Sequence, residues 1–80
     1  MSQYIDLNIE TLIDLLVARI KEYDNMLSTK VFTEEEFTQC KQTLAELHAE
    51  VKEKAEQEGR PIKNIFPNFP DNISIYQKSV

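Results

Sequence analysis

Residues 31–40 read VFTEEEFTQC, with three consecutive glutamates between two phenylalanines. If Thr33 is the N-cap, Glu36 falls at the third helical position, where the two residues can form a reciprocal capping box. Phe32 and Phe37 then stand at the two ends of a hydrophobic staple. The glutamates occupy the first turn, where the helix dipole favours negative charge. The stretch therefore predicts that a helix begins directly after Thr33.

This helix is predicted to span residues 34–58. Its apolar side chains recur at intervals of three and four, which is typical of a helix that packs along one side. They are Phe37, Cys40, Leu44, Leu47, Val51 and Ala55. Gly59 suits the position just after a helix end, and Pro61 prevents the helix from continuing.

A first helix is predicted over residues 9–27, with Asn8 as its N-cap. It carries the a/d spacing of side-by-side helices at Ile9, Ile13, Leu16, Ile20, Tyr23 and Leu27. Leu12, Leu15 and Val17 make this row wider than one partner helix covers. The short connection predicts an antiparallel, coiled-coil-like hairpin. The predicted fold class is therefore all-α. The wide row on the first helix further predicts that dimerisation completes the hairpin to a four-helix bundle.

Residues 60–80 differ from the hairpin domain of residues 1–59 and are predicted to form a non-helical, extended tail. They contain three prolines, Pro61, Pro67 and Pro70, which exclude a long helix. Phe66 and Phe69 make this tail too apolar to be inert. We favour packing of both rings on the hairpin, and docking on another protein as a short linear motif stays open. The alternation in residues 73–76, ISIY, is compatible with a short strand.

The charge of the chain is unevenly distributed. Residues 1–58 carry 13 acidic and 6 basic side chains, a net −7, whereas residues 59–80 have a net +2. An acidic body repels the phosphate backbone, so we expect no nucleic-acid partner. The start of the chain does not resemble a signal peptide, and no apolar run approaches a membrane span. One cysteine cannot form an intrachain disulfide, and a cytoplasmic location is predicted.

No catalytic residue, cofactor or metal site is predicted. Consecutive helical side chains point about 100° apart, so the three glutamates cannot converge on one ion. Cys40 and His48 lie on one helix about 12 Å apart along its axis, too far for a nucleophile–base pair. Phosphate-loop, serine-elbow and zinc-protease motifs are missing from the sequence. Only a site shared between subunits, gathering carboxylates with His48, would make this chain an enzyme.

The segments LIDLLVARIKEYDNML (residues 12–27) and TEEEFTQCKQTLAELHAEV (residues 33–51) resemble small uncharacterised bacterial proteins that are little more than a helical hairpin. The resemblance covers residues 10–58. It rests on Leu12 to Leu16, Tyr23, Glu36, Phe37 and Cys40. It implies the hairpin architecture and transfers no functional site.

The function predicted from these observations is that of a self-associating helical interaction or regulatory module, most simply a homodimer and not an enzyme. The alternative is a subunit, inhibitor or chaperone-like partner that completes its core with another protein. The residues expected to carry the interaction are Leu12, Leu15, Leu16, Ile20, Cys40, Leu44, Leu47, Val51, Phe66 and Phe69.

Overall fold

The computed structural model describes residues 7–77, and over that range it contains helices and no strand. The elements are α1 at Ile9–Thr29, α2 at Glu34–Gln57, α3 at Ile62–Ile65 and a 3₁₀ turn at Ile73–Tyr76. The all-α prediction with two long helices is confirmed. Both helices begin where the sequence placed them, whereas α1 continues slightly further than predicted and α2 ends one residue earlier.

The residues that flank α1 fix both of its ends. The Asn8 side-chain oxygen accepts a hydrogen bond from the Thr11 N–H at 2.8 Å, as expected of an N-cap. At the other end, Lys30 adopts a left-handed φ of 58° and donates its N–H to the Met26 carbonyl at 2.8 Å. This conformation ends the helix and turns the chain toward α2. A left-handed φ is less favourable for lysine than for glycine.

The start of α2 has the predicted capping box. The Thr33 hydroxyl accepts from the Glu36 N–H at 3.0 Å, and the Glu36 carboxylate accepts from the Thr33 N–H at 2.9 Å. The rings of Phe32 and Phe37 stack with centroids 4.9 Å apart, which completes the hydrophobic staple. The three glutamates therefore begin a helix, as the local pattern indicated.

The end of α2 is a Schellman motif. Gly59 takes a φ of +67°, and its N–H donates to the Glu56 carbonyl at 3.1 Å. The Arg60 N–H donates to the Ala55 carbonyl at 2.9 Å, which closes the wider ring of the motif. All hydrogen bonds that terminate α2 are thus made by residues that immediately follow it.

The two predicted apolar rows meet between α1 and α2. The buried core consists of Leu12, Leu16, Tyr23, Phe37, Cys40, Leu44, Leu47, Val51 and Phe69. Tyr23 and Phe37 stack across the helix pair with ring centroids 5.3 Å apart. Burying each large aliphatic side chain contributes about 1.5–3 kcal/mol, so this seam supplies most of the stabilisation of the hairpin.

The expectation that the tail has no helix is wrong at two places. Pro61 precedes the single turn of α3, a position that proline tolerates because its missing N–H has no helical partner there. The short strand considered for Ile73–Tyr76 is also wrong. Asn72 accepts a hydrogen bond from the Ser74 N–H at 2.9 Å and starts a 3₁₀ turn instead. A lone strand beside a helical hairpin would have no pairing partner.

The tail packs back on the hairpin through α2. Both α3 and the 3₁₀ turn contact this helix. Phe69 is only 4% exposed and belongs to the core, whereas Phe66 is half-buried beside it. The hairpin therefore receives part of its apolar cover from its own chain.

Candidate interaction surface

The tail is anchored at one aromatic pair. The Phe69 ring lies parallel to the His48 imidazole, with centroids 4.5 Å apart and 12° between planes. His48 Nε2 is 2.6 Å from the Pro70 carbonyl oxygen, and since a carbonyl only accepts, Nε2 carries the proton. Lys63 Nζ donates to the Phe69 carbonyl. The Phe69 backbone and ring are therefore both held.

Two ion-paired side chains surround this anchor. Lys63 Nζ lies 3.2 Å from a carboxylate oxygen of Asp71, within the tail. Arg60 lies 3.6 Å from Glu10 of α1 and 3.2 Å from Glu58 of α2. These side chains are largely exposed, so each pair contributes little to stability on its own. Only the Arg60 pairs join the tail to the hairpin, since the Lys63 pair lies within the tail.

The last described residues of the tail touch both long helices. The Gln77 side-chain amide donates to the Lys41 carbonyl of α2 at 3.1 Å. The Tyr76 ring meets the Tyr23 ring of α1 edge to face, with centroids 5.6 Å apart. The tail thus crosses one side of the hairpin from the open end toward the turn between the helices.

We call this side the tail-covered face. Residues three, four and seven apart lie on one side of a helix. The side of α1 that carries Glu10 therefore continues through Ile13, Val17, Ile20 and Asp24. On α2 the same face carries Lys41, His48 and Lys52, the first two of which contact the tail. Ile13, Val17 and Ile20 are half-buried there.

The opposite side of the hairpin has an open groove of about 650 Å³ between α1 and α2, near the turn that joins them. It is lined by Arg19, Glu22, Met26, Glu36, Cys40 and Thr43, among others. Val31 stands at its edge and is 82% exposed. Leu15, half-buried, belongs to the same side of α1 as Arg19 and Glu22.

Cys40 lies at the base of the groove and is only 3% exposed. Its thiol donates to the Arg19 carbonyl, with the sulfur 3.6 Å from the oxygen. The pKa of Cys40 is raised from 9.0 to about 11, mainly by burial and also by the nearby Glu22 carboxylate, against the lowering effect of the Arg19 charge. Because the thiolate is the nucleophile and metal ligand, this side chain is inert at neutral pH.

Three charged side chains of the groove have partners within the chain. Arg19 pairs with Glu22 at 3.3 Å, and Glu36 accepts the capping hydrogen bond from Thr33. Throughout residues 7–77 every buried side-chain nitrogen or oxygen has a hydrogen-bond partner. In the same range no three His, Cys, Asp or Glu side chains are placed to hold a metal ion. No described helix is both long and apolar enough to cross a membrane.

The structure divides the predicted interaction residues into two groups. Seven lie in the chain's own core and present almost no surface: Leu12, Leu16, Cys40, Leu44, Leu47, Val51 and Phe69. Three are half-buried: Leu15, Ile20 and Phe66. Contact with a partner on the folded hairpin would therefore involve the second group.

Sequence reasoning missed the residues that hold the tail. His48 was considered as a partner of Cys40 or of carboxylates, and in the structure it stacks on Phe69. The spacing gave one indication that His48 is close to the core, because it follows Leu44 by one helical turn and therefore lies on the same side of α2. Part of the positive charge of the tail forms an ion pair with the hairpin, between Arg60 and Glu10. Nothing in the local pattern marked Tyr76 as a neighbour of Tyr23.

Comparison of the chain with protein-family models, curated proteins and solved structures finds no match. The resemblance to small bacterial helical-hairpin proteins therefore stays a prediction.

Proposed function

We propose that this protein is a non-enzymatic helical interaction or regulatory module that self-associates, most simply as a cytoplasmic homodimer with a four-helix core. The observation that supports it is the distribution of apolar side chains on α1. Leu15 and Val17 are both half-buried, and they lie on opposite sides of the fully buried row at Leu12 and Leu16. Neither α2 nor the tail covers both of them completely, so apolar surface remains for a second hairpin to bury.

The size of the molecule is compatible with such an interface. A standard protein interface buries about 800 Å² on each partner, roughly one seventh of the 5427 Å² surface of this chain. One face of a helical hairpin supplies an area of this order. A cytoplasmic location is proposed because Cys40 is the single, free cysteine and makes no disulfide.

Sedimentation equilibrium of the full chain from about 5 to 200 µM, a range that brackets typical weak dimers, tests this function. We expect an average mass that rises from 9.4 kDa toward twice that value as the concentration increases. A folded species of 9.4 kDa at every concentration would overturn the proposal.

Leu15→Lys and Val17→Lys form a matched pair that locates the interface. Both residues are half-buried on α1, but they lie on opposite sides of its core row. A lysine in a dimer interface leaves an unpaired charge, so only the substitution on the interface side should dissociate the dimer. Circular dichroism of both variants checks that the helices are retained.

A second candidate function is that of a subunit, inhibitor or chaperone-like partner that completes its core with another protein. The charge of the groove favours it, because Glu22, Glu35 and Glu36 line this groove with Arg19 as the cation among them. Two copies joined through the groove would set like charges against each other, whereas a basic partner would not. Pull-down from native extract with the wild type and with Glu35→Lys tests whether a basic partner binds the acidic groove, because the substitution places a positive charge there. Equal capture by both would count against a partner in the groove.

An enzyme with a site between subunits is the distant alternative. Such a site was expected to use His48, and this imidazole is bonded to the Pro70 carbonyl and stacked on Phe69.

A further inference from the structure

We infer that the tail and a second copy of the hairpin compete for the tail-covered face, so that docking of the tail limits self-association. This inference rests on the proposed function and adds the surface used and its regulation. A chain with its tail docked is then closed, and a chain with its tail released is competent to pair.

The first reason is the apolar content of the tail-covered face. There α1 presents Ile13, Val17 and Ile20 in a continuous row, all half-buried. The groove side of α1 interrupts its apolar residues Leu15 and Met26 with a charged pair. The tail-covered face is therefore the side on which a second hairpin would bury more apolar surface.

The tail is a thin cover for this face. Phe69 is the one residue of its described part, residues 60–77, that is fully buried. Ile75 remains 53% exposed, and the ion pairs of Arg60 and Lys63 lie at the surface. Displacement of the tail therefore exposes one fully buried ring together with the half-buried Phe66 and Tyr76, and it breaks the hydrogen bonds of Pro70 and Gln77 to the hairpin.

The charge pattern of this face is compatible with a second copy. Glu10 and Asp24 lie along α1, whereas α2 carries two basic and two acidic side chains, Lys41 and Lys52 with Glu34 and Glu56 at the ends of the row. A two-fold rotation that sets α2 of one copy against α1 of the other therefore brings basic as well as acidic side chains to the acidic ones of α1. The acidic groove on the opposite side has no such arrangement.

The connection between α2 and the tail permits release. The hydrogen bonds that end α2 are made by Gly59 and Arg60 to Glu56 and Ala55, within a single turn. No heavy atom beyond the chain neighbours lies within 4 Å of a Cβ built on Gly59. The tail beyond Arg60 can therefore leave the hairpin without loss of any hydrogen bond that terminates α2.

Phe69→Ala in the full chain tests the competition. It removes the buried anchor of the tail, and Ile75→Ala, in the same tail but exposed, is the control. Hydrogen exchange at the Phe66 and Gln77 amides, which are bonded within the tail, reports its release. Sedimentation equilibrium should then show a dimer dissociation constant about tenfold lower or more for Phe69→Ala, since removing a buried ring shifts the docking equilibrium by at least that factor. Ile75→Ala should leave it unchanged.

A second substitution identifies the face. In the Phe69→Ala background, Val17→Lys should restore the monomer, whereas Leu15→Lys should leave the dimer intact. Should Phe69→Ala not fold, Gln77→Ala removes the hydrogen bond from the tail to the Lys41 carbonyl without touching the core, and it should strengthen dimerisation to a smaller extent.

Two results would overturn the inference in distinguishable ways. If the tail is released and the dimer is no tighter, or if Leu15→Lys and not Val17→Lys dissociates it, the competition is wrong while self-association stands. If no variant dimerises at any concentration, the proposed function falls together with the inference.

Discussion

The ring of Phe69 in the tail stacks on the imidazole of His48 in α2, although the two residues are far apart along the chain. The same imidazole bonds the carbonyl of Pro70, a separation of 22 residues. This pair joins the tail to the hairpin.

Replacement of His48 should weaken the fold measurably. His48→Ala loses an aromatic stack and one hydrogen bond, which together contribute about 1–3 kcal/mol. His48→Phe keeps a ring and loses the hydrogen bond, so its effect should be smaller. Urea denaturation gives the free energies of unfolding, with Glu46→Ala, exposed on the same helix, as the control. Equal stability of His48→Ala and the parent would show that the stack is not a stabilising contact.

The capping box makes a second prediction. Thr33→Ala removes the hydroxyl that accepts from the Glu36 N–H and should lower the free energy of unfolding by about 1 kcal/mol. Thr38→Ala, exposed inside α2, makes the same chemical change away from the cap and should have little effect. The comparison uses thermal or denaturant unfolding. Similar losses in the two variants would mean that the cap contributes nothing specific.

Lys30 gives a prediction of opposite sign. Its left-handed φ of 58° favours glycine, so Lys30→Gly should stabilise the protein by about 0.5–1 kcal/mol as an improved helix cap. Lys21→Gly, in the exposed interior of α1, should instead cost about 1 kcal/mol. Both values come from the same unfolding experiment. A loss of stability in Lys30→Gly would mean that the lysine side chain stabilises the turn.

The raised pKa of Cys40 predicts an alkaline loss of stability. Its pKa is about 11 in the folded chain against 9.0 for the ordinary thiol, so the folded state binds this proton more tightly. The corresponding stability is complete below pH 9 and is lost as the pH rises through the folded pKa. Relative to Cys40→Ala, the wild type should lose free energy of unfolding between about pH 9 and 11. Parallel pH profiles of the two proteins would contradict this.

Structural features that are determined by residues close together in the sequence were predictable, whereas those determined by residues distant in sequence were not. The start of α2 was predictable, because Phe32, Thr33, Glu36 and Phe37 signal it within a few residues. The row from Cys40 to Val51 was predictable from its spacing. Packing of the tail on the hairpin was favoured from its apolar residues, but the contact itself was not predictable, since Phe69 stacks on His48, a residue distant in sequence.

The 3₁₀ turn at Ile73–Tyr76 illustrates a different limit. Its alternating residues suit a strand, but a strand requires a neighbour to pair with, and no described element offers one. The Asn72 side chain supplied a local hydrogen bond instead. Of the candidate interaction residues, the sequence identified the apolar positions. It could not separate those that fill the chain's own core from those that remain accessible.

The measurement that tests the central claim most directly is the mass of the folded full chain in solution. Light scattering on wild type and Phe69→Ala, side by side at about 50 µM, a concentration at which weak dimers are populated, provides it. We expect a wild-type mass above 9.4 kDa and a Phe69→Ala mass closer to twice that value. Two folded proteins of 9.4 kDa would contradict both self-association and its control by the tail.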